Sequence, residues 1–200
     1  MDLVGYLTAF PGQALPLFDD AHLFEYILAG NGLFLRSKRD GLEALIPVTY
    51  CKIVGLEEIT PYVHMDQKIP QSILAEANAR ALEAFPCEIL FWVNLKDRMW
   101  NLFVPEQDSL QGSVKPLDPF HPKGANALVD MHSHGAFQAV FSPTDNADET
   151  GFRLYICIGL AATQIAARVG IFGHRWDIPA AWVCELPEEI TECEALHGYS

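Results

Sequence analysis

The spacing of hydrophobic and polar positions changes several times along this chain, and each change marks an element. Over the first sixty residues the apolar positions come in short runs broken by glycine and proline. Leu23 to Ala29 reads as a strand, Gly30-Asn31-Gly32 as a tight turn, and Leu33 to Arg36 as the antiparallel return. A second turn at Arg39-Asp40-Gly41 leads into Leu42 to Ile53, while Phe10-Pro11-Gly12 and Pro16 punctuate the start. The pattern predicts a β-rich extension over 1–60 packed on a main domain. His22 and Glu25, three apart near a strand start, read as ordinary surface residues.

From Pro70 to Phe85 the period becomes helical. Ile73, Leu74, Ala77, Ala81, Leu82 and Phe85 are assigned to one face, the run is alanine-rich, and Pro86 stops it. Glu88 to Leu95 is then almost continuously apolar, which predicts a buried strand; Lys96-Asp97 turns the chain, and Met99 to Val104 returns as a hairpin partner. Residues 105–125, with Pro116, Pro119 and Pro122, read as a long loop, and a loop of that length in a compact domain is more often functional than not. Phe120 and His121 within it either face a substrate groove or pin the loop. Ala127 to Met131, Phe152 to Leu160 and Gln164 to Phe172 are three further strands. Gly173-His174-Arg175 turns into Trp176 to Leu186, with His174 an exposed turn residue. Beyond Pro187, the residues Glu188, Glu189, Glu192 and Glu194 read as a solvated acidic end. The expected organisation is an extension over 1–60, a domain over 61–187 and a tail over 188–200.

Composition narrows the function classes. Half of the 200 residues are apolar and 20% are charged, as in globular proteins. A net charge of −13 with thirteen scattered basic residues argues against a nucleic-acid surface. The five cysteines (Cys51, Cys87, Cys157, Cys184 and Cys193) are odd in number and form no C-x-x-C pair, which suits a reducing compartment; Cys157, inside an apolar run, reads as packed. The start MDLVGYLTAF lacks a basic, long-apolar leader, and no run reaches membrane-spanning length, so the expectation is a cytoplasmic protein without membrane or nucleic-acid partners.

The stretch from Ala127 to Gly151 carries the candidate chemistry. His132 and His134 stand one residue apart at a strand end, so alternation sends both imidazoles to one face and Ser133 to the other. Ser142-Pro143-Thr144-Asp145 has the form of a helix start, with Ser142 as N-cap, Pro143 as first helical residue and Asp145 in the first turn; Gly151 suits the stop. Two imidazoles and one carboxylate make a three-donor divalent site with an open fourth position, as hydrolytic zinc sites require. Glu88 opens a strand whose near neighbours are apolar, which suits either a solvated strand end or a general base with a raised pKa.

Glu88, His132-Ser133-His134, Ser142 and Asp145 together resemble the metal signature of the JAB/MPN (JAMM) metalloprotease family: Glu, then His-[Ser/Thr]-His-Pro, then Ser-x-x-Asp. The resemblance spans roughly Ile69 to Leu186. It implies an α/β (α+β) fold of the cytidine-deaminase-like type, a mixed β-sheet flanked by helices. It also implies Zn²⁺ held by His132, His134 and Asp145, with Glu88 as the proton-transferring base and Ser142 as oxyanion donor. Glu83 and Glu106 compete for the base role, but the first lies off the helix's apolar face and the second in the loop. Gly135 replaces the family's proline, which suggests a looser exit from the strand. The substrate implied is a peptide or isopeptide bond beside the C-terminal tail of a ubiquitin-like protein. The chain is further similar to the JAB/MPN member of a plasmid-borne bacterial cassette, the PRTRC system, which would add an E1/ThiF-like partner. Alternatives are a catalytically silent binding or scaffold protein and a zinc hydrolase of a small amide.

Overall fold

In the computed structural model, which describes residues 2–193, two β-sheets lie face to face across one hydrophobic core. The first sheet holds β1 (Val4–Thr8), β2 (Phe24–Ala29), β3 (Gly32–Arg39), β4 (Leu42–Tyr50) and β5 (Tyr62–Met65) in that spatial order. β1 and β2 are parallel and the other pairs antiparallel, including the β2–β3 hairpin expected around Asn31. Period-2 alternation divides its side chains. Leu35, Leu42, Ala44 and Ile46 enter the core shared with the second sheet, whereas Ile27, Phe34 and Leu45 form a separate cluster with Ala9 and Ala29, flanked by Leu7, Leu15 and Ile59.

His22 and Glu25 are not ordinary surface. Glu25 stands opposite Arg36 in the β2–β3 register and is 3% exposed. Arg36 donates to Glu25 Oε2 from Nε at 3.0 Å and to the Pro16 carbonyl, and His22 Nδ1 lies 3.1 Å from Glu25 Oε1. A buried carboxylate needs such partners to offset its lost hydration. Cross-strand register brings the arginine to it, and sequence spacing does not display that register.

After β5 the chain forms α1 (Gln71–Ala84), β6 (Leu90–Lys96) and β7 (Met99–Phe103). Ile73, Leu74, Ala77 and Ala81 are the buried residues of α1. Leu82 and Phe85, assigned to the same face from the sequence, are instead exposed, at 52% and 47%. At 100° per residue Leu82 points roughly 125° from the centre of the buried stripe, and Phe85 lies beyond the last helical residue. Residues 105–125 are likewise not a bare loop. They contain a two-stranded hairpin, β8 (Gln107–Leu110) with β9 (Ser113–Pro116), and a short helix, α2 (Pro122–Ala125). His121 pins this segment, its ring 5.2 Å from Phe103 and 5.6 Å from Trp92, while Phe120 points to solvent.

The remaining elements are β10 (Val129–Ser133), α3 (Pro143–Asp148), β11 (Arg153–Gly159), β12 (Gln164–Ile171), β13 (His174–Ile178) and β14 (Thr191–Glu192). The second sheet runs β13-β12-β11-β10-β6-β7, with β14 beside β12. It is mixed: β10–β11 and β12–β14 are parallel, the rest antiparallel. The α+β class and the β-rich start agree with the sequence expectation. Two details of the C-terminal part do not. His174 begins β13 rather than sitting free in a turn, with Nε2 3.2 Å from the Tyr26 hydroxyl of the first sheet. Glu192 accepts from the Ala180 backbone N–H at 2.6 Å, so it is not a solvated tail residue; Glu194 lies outside the described residues. Among the described residues no helix is long and apolar enough to cross a membrane.

Alternation in the second sheet sets up the site. Phe91, Val93, Val129, Met131, Leu154, Ile156, Ile158, Ala167 and Val169 face the core with α1 and the first sheet. The residues between them, Leu90, Trp92, Asp130, His132, Tyr155, Cys157 and Arg168, therefore face the other way, toward α3 and the β8–β9 hairpin.

Candidate metal centre

β10 delivers His132 directly and His134 just past its last residue, both buried. Their Nε2 atoms converge to 2.9 Å. Ser133, on the opposite face, accepts the Ile89 backbone N–H at 3.0 Å and is a structural partner, as its alternation predicts. β10 and β11 are parallel, so a crossover must join them, and α3 lies in that crossover. Its start is the expected one: Ser142 caps, Pro143 follows, and a capping box closes with Asp145 N–H donating to Ser142 Oγ at 3.2 Å and Ser142 N–H to Asp145 Oδ2 at 2.5 Å. The helix ends at Asp148 with Glu149 as C-cap, two residues before Gly151, whose backbone stays outside the left-handed region.

The capping box aims the Asp145 carboxylate at the imidazoles. Oδ1 lies 3.2 Å from His132 Nε2, and Oδ2 lies 3.6 Å from His134 Nε2. Burial alone would raise the Asp145 pKa, but the bonds from His132 and His134 outweigh it and hold the carboxyl well below its usual range. For His134, burial is opposed by Asp145 and by the Gln138 carbonyl, and the imidazole ends above its ordinary value. These donors fit a small divalent cation. Ligand bonds of about 2.0–2.1 Å in tetrahedral array separate donor atoms by roughly 3.3–3.4 Å, and the distances here of 2.9, 3.2 and 3.6 Å bracket that edge. His134 Nδ1 faces the Gln138 carbonyl at 3.0 Å, which fixes the proton there and leaves the Nε2 lone pair for a metal.

Cys157 joins the cluster without having been singled out by the sequence. It stands opposite His132 in the β10–β11 register, and its Sγ lies within 4.8 Å of ligand nitrogens of both histidines. Asp145 is the better third donor. Its Oδ1 is 3.2 Å from His132 Nε2, whereas burial, with the Asp145 and Glu88 charges adding, pushes the Cys157 thiol well above its ordinary value.

Glu88 lies two residues before β6, 6% exposed, with its N–H donating to the Leu110 carbonyl of the hairpin at 3.0 Å. Burial raises its pKa, and the His134 and His132 imidazoles pull the other way. Its two competitors, Glu83 and Glu106, are exposed. Glu88, His132, His134, Ser142 and Asp145 all line one cavity of about 940 Å³, whose far wall includes Trp92, Val114 and Tyr155.

Gly135 does not loosen the exit from β10. Its φ is +54°, a Cβ there would meet the Pro86 carbonyl oxygen at 2.7 Å, and its own carbonyl accepts the Ala161 N–H at 2.8 Å. Proline, fixed near −65°, cannot adopt this turn. Gly135→Ala is expected to lower unfolding stability by about 1–2 kcal/mol, the strain of a left-handed non-glycine residue, as measured by urea unfolding. An unchanged midpoint would mean the turn can relax.

Two imidazoles and a carboxylate converging in one cavity on a mixed sheet define an α+β domain with a candidate metal centre. Residues 67–171, more than half of the chain, match the family of prokaryotic homologs of the JAB domain, and the protein belongs to that family. A solved structure described as "JAMM: A Metalloprotease-like Zinc Site in the Proteasome and Signalosome" aligns over 56% of this chain and 94% of its own, at 14% identity and a TM-score of 0.37. No curated protein matches the chain.

Proposed function

We propose that the protein is a zinc-dependent hydrolase that cuts a peptide or isopeptide bond beside the C-terminal tail of a ubiquitin-like protein. The observation that carries this reading is the convergence of His132, His134 and Asp145 in the same cavity as a buried carboxyl, Glu88. Zinc held by His132, His134 and Asp145 would supply Lewis-acid polarisation to the site. Glu88 would take the proton from the attacking water and hand it to the leaving amine, work suited to a carboxyl whose pKa burial raises. The Ser142 hydroxyl accepts from Asp145 N–H, so its own proton stays available to the oxygen on which charge develops. Capping and oxyanion stabilisation are thus compatible in one side chain.

An extended substrate fits the shape of the site. All four residues of β9 line the cavity, and a tail lying beside that strand would pair with its backbone. Leu110, Leu117, Phe120, Phe137 and Val140 are exposed on the segments that bear the cavity wall, a rim suited to a folded partner rather than to a small amide. As the JAB/MPN member of a PRTRC-type cassette, the protein would act beside an E1/ThiF-like partner that activates the same tail.

Metal analysis of the purified protein should give about one zinc per chain, lost in His132→Ala and in Asp145→Ala. The zinc-loaded protein should release a reporter fused behind a ubiquitin-like tail faster than it hydrolyses small amides. A protein that takes up no zinc would instead be a scaffold, and preference for small amides would remove the ubiquitin-like substrate.

A further inference from the structure

The helix that presents Asp145 has nothing apolar to hold it. α3 is six residues long and none of them is buried. A helix that short has no stability of its own, because the nucleation cost outweighs the few bonds it makes. Something outside must fix it, and one side chain reaches what lies at both ends. Arg168, on the site face of β12, is 5% exposed. Its Nε donates to Glu149 Oε2 at 2.7 Å, and Glu149 is the C-cap residue of α3. The same guanidinium lies 3.8 Å over the ring of Phe141, the residue just before the N-cap Ser142. Phe141 in turn stands edge-on to His132, with centroids 6.3 Å apart. Arg175 supports the arrangement from the carbonyl end, donating to the backbone oxygens of Asn146 and Glu149.

We infer that Arg168 is the positioning residue that brackets α3 between Phe141 and Glu149 and so holds the Asp145 carboxylate against the two imidazoles. Arg168 itself stands back from the site, outside the cavity lining. The inference rests on reading Asp145 as a metal ligand. Only arginine suits the position. One planar group must lie flat on a ring while presenting an N–H to a carboxylate, and a lysine ammonium is a point charge with no face to stack. Arg168 and Glu149 are both buried, and Arg175 Nε lies 3.3 Å from the same Glu149 Oε2, so truncating Arg168 would leave the carboxyl one cation and truncating Glu149 would leave the buried Arg168 guanidinium unpaired. Arg168→Lys and Glu149→Gln are therefore better probes than alanine.

The experiment compares the parent, Arg168→Lys, Glu149→Gln and Asp145→Asn. Three readouts are taken: zinc affinity by competition with a chromophoric chelator, the visible spectrum of the cobalt-loaded protein, and amide hydrogen exchange in the metal-free protein. Arg168→Lys and Glu149→Gln should each bind zinc about 10–100-fold more weakly, the usual size of an outer-shell effect, and give an altered cobalt spectrum. Exchange at residues 146–149 should accelerate while β10 and β12 keep their protection. Parent-like zinc affinity with unchanged exchange at 146–149 overturns the inference. So does loss of protection throughout β10 and β12, because Arg168 would then support the sheet and not the helix. If Asp145→Asn binds zinc as tightly as the parent, the ligand assignment fails, and the proposed link from Arg168 to the metal fails with it; the exchange at 146–149 still reports whether Arg168 holds the helix.

Discussion

Glu88→Gln is expected to bind zinc like the parent and to lose about 10²–10⁴-fold in kcat, the usual contribution of a positioned general base. The substitution is close to isosteric, so it tests the proton and not the packing. Glu88 is 6% exposed and its N–H is tied to the Leu110 carbonyl, so the glutamine side chain starts from the same place. The pH profile gives a second signature. A base must be deprotonated to act, so activity falls as pH drops through its pKa. Burial raises that pKa above the ordinary 4.5 in the metal-free site, so at saturating zinc the acid limb of the parent profile should carry a carboxyl contribution that is missing from the residual activity of Glu88→Gln. KM should change little, because the carboxyl contributes mainly in the transition state. Full turnover by Glu88→Gln would move the base elsewhere in the cavity, and loss of zinc would show that Glu88 supports the metal rather than the water.

Local chemistry makes the convergence of His132, His134 and Asp145 legible in the sequence. His132 and His134 follow from strand alternation, and Ser142 with Asp145 from an N-cap serine, a first-position proline and a first-turn carboxylate written within four residues. Elements with a clean period, such as α1 and the β6–β7 hairpin, were equally readable. What stayed hidden depends on register between segments distant along the chain. Cys157 meets His132 only because β10 and β11 pair in parallel at those residues, and Glu25 meets Arg36 only across the β2–β3 ladder. Arg168 and Glu149 are of the same kind: nothing in their spacing connects them, and folding of β12 against the crossover brings them to 2.7 Å. The hairpin in residues 107–116 escaped because its strands are four residues each and carry no strong alternation. Gly135 shows the converse error. Its permissive backbone suggested slack, whereas the structure uses that freedom to fit a fixed, crowded turn.

Zinc affinity should fall about tenfold per pH unit once the pH is below the pKa of His134, because the metal and the proton compete for one nitrogen. The two shifted groups set a window for the metal-free protein. His134 titrates above its ordinary 6.5, so the folded protein holds a proton that the unfolded chain has released. That stabilisation is complete below about 6.5 and disappears as the pH rises through the folded value. Asp145 titrates below its ordinary 3.8, so its contribution is complete above about 3.8 and is lost as the pH falls through the folded value. Between roughly pH 4 and 6.5 both contributions are present, and there the metal-free parent should exceed His134→Gln in melting temperature by its widest margin. Above that window the margin should shrink while zinc takes over the stabilising role by binding only the folded state. Titration calorimetry in two buffers of different ionisation enthalpy counts the protons released when zinc binds. A count of zero near pH 6, together with a flat difference in melting temperature from pH 4 to 9, would show that His134 does not exchange a proton for the metal.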